Sequence, residues 1–285
     1  MWPGALVEEL AARRCIIFLG AGASAGCIST DTPPVSPPNW LQLLEGLRDS
    51  SRDPSYCHIV DDLIAKEKFL DAAEVLLGGI NSADFASYIR KVMAAPRFQP
   101  SSTHKSVLAI DPKIVVTTNY DSIYDNYCRS GQEQGLYNIC KYYDSHLVSD
   151  LRSPVRQVIK AHGCISDPAK IVLTRSQYFK ERQNHPNFYK VLDALFLTNT
   201  LFFVGYGLSD PDIQLLLENS NITYKNSHPH YALVSSGMNE AIKKAYKEAY
   251  NIDFIEFPAG NYSKADEMLK ELQAQVTHRR ESNPA

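Results

Sequence analysis

The sequence predicts an α/β fold: a Rossmann-like parallel sheet of about six strands covered by helices, with a helical insertion between the first and second strands. Three observations point there. Short apolar runs rich in β-branched and aromatic residues recur along the chain, bounded by polar or turn residues, as strands buried on both faces require. Segments with three- and four-residue apolar spacing separate most of them. Two runs end in small polar residues, Gly20-Ala21-Gly22-Ala23-Ser24 and Thr117-Thr118-Asn119-Tyr120-Asp121, at the place where a doubly wound sheet keeps its ligand.

Strands are expected at Cys15–Leu19, Ile114–Thr118, Val155–Ile159, Leu201–Val204, Tyr231–Val234 and Asp253–Phe257. Roughly a third of the chain, Cys27 to Pro112, separates the first from the second. That interval opens with Thr32-Pro33-Pro34-Val35-Ser36-Pro37-Pro38, which can be neither helix nor central strand because proline lacks a backbone N–H. Residues 39–95 are helical in pattern, with Leu41, Leu44 and Leu47, then Ile59, Leu63 and Ile64, then Phe69, Ala73, Leu76 and Leu77, then Phe85, Tyr88, Ile89 and Val92 at helical spacing. Pro96–Pro100 forms the exit linker. Towards the C-terminus, Pro211–Glu218, Asn239–Tyr250 and Lys264–Gln275 carry helical spacing, and polar Thr277–Ala285 is expected to fray. The chain is thus one domain over 1–285, with its core in 1–26 and 113–276.

With 285 residues, a formal charge of −3 and no block of lysine or arginine, the chain lacks the electrostatics of a direct nucleic-acid binder. No apolar run is long enough for a membrane span and the N-terminus lacks signal-peptide architecture, so a cytoplasmic protein is expected. The cysteines at 15, 27, 57, 128, 140 and 164 form no Cys-x-x-Cys pair, which disfavours a zinc ribbon and suits reduced thiols. Six of the eight histidines, His58, His104, His146, His185, His228 and His230, are read as having no carboxylate or cysteine at metal-ligand spacing, and no metal is expected. A Gly-x-Ser-x-Gly elbow and a P-loop are both missing, which disfavours a serine hydrolase and an ATPase.

The glycines at 20, 22 and 26 are spaced one residue wider than the dinucleotide fingerprint. Glycine lets the backbone approach an anion, and the following helix offers N–H groups and a favourable dipole; a turn that needs glycine for packing alone is the competing reading. A second glycine turn, Gly205-Tyr206-Gly207, follows the strand Leu201–Val204. Asn119 and His162 each follow a strand, so a parallel sheet turns both towards one crevice. An amide can orient water or a hydroxyl, and an imidazole can relay a proton. Asp121 either caps the helix beginning near Ser122 or assists at the same crevice.

Gly20-Ala21-Gly22-Ala23-Ser24, Thr118-Asn119-Tyr120-Asp121, His162-Gly163 and Phe203-Val204-Gly205-Tyr206-Gly207-Leu208-Ser209-Asp210-Pro211-Asp212 together resemble the bacterial SIR2-like domain over roughly residues 14 to 235. The likeness is to the branch that hydrolyses NAD in anti-phage defence, as in the SIR2 subunit of SIR2–HerA systems. It implies that NAD+ is cleaved at the nicotinamide–ribose bond to nicotinamide and ADP-ribose, and leaves open whether cyclisation to cyclic ADP-ribose competes with hydrolysis. It further implies that Gly20, Ala21, Gly22 and Ser24 line the pyrophosphate, with Thr118 also on the NAD. Asn119 and Asp121 would sit at the nicotinamide ribose, with His162 as acid/base. Gly205, Ser209 and Asp210 would approach the adenosine half. The same resemblance implies control by self-assembly into a homo-oligomer or by a separately encoded partner, a HerA-type ATPase or a short Argonaute. Two departures from the deacylating sirtuins, no four-cysteine zinc module and no Pro-Asp-Phe-Arg loop, count against the alternative of a protein deacylase. A non-catalytic module that senses NAD or an ADP-ribose derivative is the remaining alternative.

Overall fold

A computed structural model describes residues 2–50, 54–130, 137–224 and 228–282. Its strands are β1 (Cys15–Leu19), β2 (Ile114–Thr117), β3 (Tyr137–Lys141), β4 (Arg156–Lys160), β5 (Thr200–Val204), β6 (His230–Ser235) and β7 (Ile252–Phe257). They form one parallel sheet in the order β3-β4-β2-β1-β5-β6-β7. Six of the seven lie on the apolar runs, with ends displaced by at most one residue. The additional strand, β3, is an edge strand in which Asn138, Ile139 and Lys141 are half-exposed, so its sequence shows neither a continuous apolar run nor a clean alternation.

Alternate residues of β1 supply two separate cores because successive Cβ atoms point to opposite faces. Ile17 and Leu19 pack with Leu6 and Leu10 of α1 (Gly4–Ala11), Val107 of α7 (Ser102–Ile110), and Leu272 and Val276 of α14 (Tyr262–Ser282). Ile16 and Phe18 pack with Phe196 of α11 (Pro186–Thr198) and Leu217 of α12 (Pro211–Thr223). On that second face, the helix expected near Asn239–Tyr250 is α13 (Glu240–Tyr250), with the Asn239 side chain accepting from the Ala241 N–H as its cap.

Thr277–Ser282, expected to fray, is instead the last part of α14; residues 283–285 lie outside the described residues. Val276 is buried, and the Arg280 guanidinium donates to the carbonyls of Leu10, Ala11 and Ile110 at 2.7–3.0 Å. These bonds tie the C-terminal helix to both α1 and the end of α7.

The interval between β1 and β2 contains α3 (Trp40–Asp49), α4 (Cys57–Ala65), α5 (Phe69–Gly79) and α6 (Ser82–Met93). A capping box at Asn39 and Gln42 starts α3, and the Asn81 side chain starts α6. Leu43, Leu47, Val60, Leu76 and Ile89 form a separate core that rests on Tyr120, Ile171 and Leu173 of the sheet domain. Leu44 and Leu47 of α3 are buried as expected, and Leu63 and Ile64 of α4 pack against the same core. Leu41 and Ile59 face solvent, and Leu43 and Val60 take the inward positions.

Candidate active site

Four adjacent strands, β4, β2, β1 and β5, deliver their following loops to one end of the sheet. This is the switch region of the topology, where the chain stops adding strands on one side of β1 and begins on the other. Leu19 is in register with Val204, so the two glycine turns leave the sheet side by side. Gly205 has φ +62°, and a Cβ there would strike the Ala23 backbone; a Cβ on Gly22 would come within 2.8 Å of the Gly205 oxygen. The turns therefore interlock backbone against backbone. The first turn leads into α2 (Ala21–Ala25), a single short turn of helix. Its Gly22 N–H donates to the Gly205 carbonyl at 2.8 Å and its Ala23 N–H to the Gly20 carbonyl at 3.0 Å. Two donors expected to await an anion are thus already engaged, and packing explains much of the glycine pattern.

Asn119 is fixed from beneath. Its backbone N–H donates to Thr117 Oγ1, which itself donates to the Leu19 carbonyl and so locks the end of β2 to β1. The Asn119 Nδ2 donates to the Gly20 carbonyl at 2.9 Å and to Ser24 Oγ at 3.2 Å, and the Ser24 hydroxyl donates to Asp121 Oδ2 at 3.0 Å. Ser24 is therefore a buried link between Asn119 and Asp121. No protein donor engages Asn119 Oδ1 among the described residues, so this oxygen can accept from water or a sugar hydroxyl. Asp121 Oδ1 accepts from the Ile123 N–H at the start of α8 (Ile123–Cys128), so the carboxylate caps that helix and supports Ser24 at once.

His162 follows β4 and is buried. Its Nε2 lies 3.3 Å from Asp210 Oδ2 and its Nδ1 lies 3.4 Å from the hydroxyl of Tyr178 in α10 (Arg175–Asn184). Tyr178 donates to the same Asp210 oxygen at 2.7 Å, and burial beside Asp210 pushes the phenol far above its usual pKa, keeping it a donor. Asp210 Oδ1 accepts from the Asp212 and Ile213 N–H groups, capping α12. Asp210 thus joins the imidazole cluster and also lines the cleft beside Gly205 and Ser209. Its partner Tyr178 carried no sequence signal, since an isolated tyrosine on a polar helix has no distinguishing pattern.

A cleft of about 790 Å³ spans these groups. Ala21, Gly22, Ser24, Thr118, Asn119, Asp121, His162, Gly205, Ser209 and Asp210 all line it, whereas Gly20 is pressed behind the turn. The helical interval contributes Trp40, Leu43 and Phe69, and the proline run contributes Pro37 and Pro38. Beneath the floor, Lys160 is fully buried; its Nζ donates to the Asp121 carbonyl and lies 3.0 Å from Asp125 Oδ2. The strand expected to end at Ile159 runs one residue further, and that residue is this lysine. No disulfide joins the described cysteines. Contrary to the expectation for the histidines, His146 has a carboxylate one helical turn on, Asp150, and Cys140 lies beside both. Among the described residues, no helix is long and apolar enough to cross a membrane.

A parallel sheet with a cleft at its switch point, lined by an amide and by an imidazole–carboxylate pair, defines an α/β domain of the doubly wound class. Residues 113–255 match the family model described as the SIR2-like domain, and the chain belongs to that family. It is 32% identical over 211 residues to defense-associated sirtuin 2 of Bacillus subtilis, covering 72% of this chain and 19% of that protein. It is 23% identical over 231 residues to the NAD(+) hydrolase ThsA of Acinetobacter baumannii (strain 532279), covering 80% of this chain and 44% of that one. The ThsA of Bacillus cereus (strain MSX-D12) gives 23% over 234 residues, with the same coverage. The chain spans less than half the length of these relatives.

Proposed function

We propose that this chain hydrolyses NAD+ at the nicotinamide–ribose bond, releasing nicotinamide and ADP-ribose, as an NAD-depleting effector in anti-phage defence. The observation that carries the reading is the convergence of Asn119 and the His162–Asp210 pair on one cleft. Relatives named as NAD(+) hydrolases and as a defense-associated sirtuin support it.

The bond breaks through an oxocarbenium-like state, so positive charge develops at the anomeric carbon while nicotinamide leaves with the electron pair. The carboxylates of Asp121 and Asp210 flank the space in which that charge forms. Asn119 Oδ1 orients the attacking water, and the water's proton passes to His162. Both imidazole nitrogens face the Asp210–Tyr178 pair, so His162 and Asp210 work as one acid/base unit. Ala21 and Gly22 border the pyrophosphate. Lys68 and Arg175 are the cations of the lining, with Arg175 already paired to Asp71 at 3.0 Å. Thr118, Gly205 and Ser209 border the rest of the dinucleotide. Activity is held in check until copies of the chain, or a separately encoded ATPase or Argonaute partner, assemble with it.

The test is nicotinamide release from NAD+ by the purified protein and by Asn119→Ala and His162→Ala. Each substitution is expected to lower turnover by about 10²-fold or more with folding intact. Undiminished turnover in both removes the assigned roles. Deacylation of an acyl-lysine peptide, or tight NAD+ binding without turnover in every oligomeric state, replaces the reading altogether.

A further inference from the structure

The edge strand β3 carries a second cluster, separate from the cleft. After Lys141 the chain turns back through the short helix α9 (Leu147–Leu151), and this return sets His146 and Asp150 against Cys140. Asp150 Oδ2 lies 3.4 Å from Cys140 Sγ and 3.4 Å from His146 Nε2. The ligand atoms of all three lie within 4.8 Å of one another. Zinc bonds of about 2.3 Å to sulfur and about 2.0 Å to nitrogen or oxygen, arranged tetrahedrally, require ligand–ligand edges of about 3.3–3.5 Å. Two of the three edges already have that length.

The donor set narrows the ion. A thiolate with an imidazole selects a borderline metal and disfavours magnesium and calcium, which take oxygen ligands. Asn138 supplies an outer partner, its amide 2.5 Å from Asp150 Oδ2 and 3.3 Å from Cys140 Sγ. Cys140 is buried, and the His146 side chain is 54% exposed, which leaves an entry path from solvent. We propose that Cys140, His146 and Asp150 bind one divalent ion of the zinc class, with a water in the fourth position. The thiol proton leaves to solvent on binding. The ion joins the return loop to a strand that is paired on one side alone, and so serves as a structural staple.

Cobalt(II) added to chelator-treated full-length protein reads the site directly. One equivalent per chain is expected to bind with the visible bands of tetrahedral cobalt and a near-ultraviolet thiolate charge-transfer band. Cys140→Ser is expected to abolish the charge-transfer band. His146→Ala is expected to weaken binding by at least about tenfold, given that loss of even an outer partner costs about 10–100-fold. Because His146 is half in solvent, its removal leaves the fold intact whatever the serine variant does. Absence of cobalt bands, or a spectrum and affinity unchanged by His146→Ala, overturns the proposal.

Discussion

Replacing Lys160 by methionine tests the support beneath the site. The lysine side chain is 1% exposed and that of Asp125 is 5% exposed, with Nζ and Oδ2 3.0 Å apart. Burial disfavours the ammonium, but the carboxylates of Asp125 and Asp121 more than offset it, and the pKa stays above the ordinary lysine value. Methionine keeps most of the volume but strands the Asp125 carboxylate in the interior, an arrangement that costs about 3–5 kcal/mol. The Asp121 carbonyl also loses its donor, worth about 1 kcal/mol. These overlap, so Lys160→Met should destabilise by about 4 kcal/mol. Adding Asp125→Asn removes the stranded charge and should recover about half of that, so the double variant falls short of the sum of the two single variants by about 2 kcal/mol plus the cost of Asp125→Asn alone. Urea unfolding followed by circular dichroism on the parent, both single variants and the double variant supplies the cycle. A cost below about 1 kcal/mol for Lys160→Met, or simple additivity in the double variant, would refute the reasoning.

Two further expectations concern histidines. Burial pushes the pKa of His230 down to about 4, and its Nδ1 accepts from the Leu201 N–H, so the folded state holds it neutral. The unfolded chain takes up a proton near pH 6.5, so this contribution is complete above pH 6.5 and declines as the pH falls towards 4, by about 3 kcal/mol in all. Urea midpoints between pH 7.5 and 4.5 should fall less steeply in His230→Gln than in the parent; parallel profiles would count against it. At the cleft, Asp210→Asn keeps the cap on α12 but removes the charge beside His162, and should lower nicotinamide release by about 10²-fold. Tyr178→Phe should lower it by about tenfold, and equal, negligible effects in both would separate the Asp210 cluster from the chemistry.

The framework was legible because its signals are local. Ile16, Phe18 and Val116 sit in runs too apolar and β-branched for anything except a doubly covered sheet, and the loops after such strands must share one end. That logic alone brought Asn119 and His162 to the same crevice. What escaped depended on three-dimensional neighbours. β3 is an edge strand with half its side chains in solvent, so its hydrophobic pattern is faint. Asp210 has a sequence role as a helix cap before Pro211, and nothing in the chain discloses that its other oxygen meets His162 across 48 positions. Lys160 looks like a polar residue ending a strand, and its burial is visible only once Asp125 is beside it. The final turns of α14 looked frayed because Arg280 is charged, while its backbone acceptors lie in α1 and α7.

The most direct measurement is a crystal structure of the His162→Ala variant soaked with NAD+. The account predicts the nicotinamide ribose in the cleft, its hydroxyls or an ordered water at Asn119 Oδ1 and its anomeric carbon facing the vacated imidazole position beside Asp210. Electron density for the dinucleotide elsewhere on the molecule, or a ribose turned away from Asn119 with the cleft occupied by another part of the ligand, would contradict it.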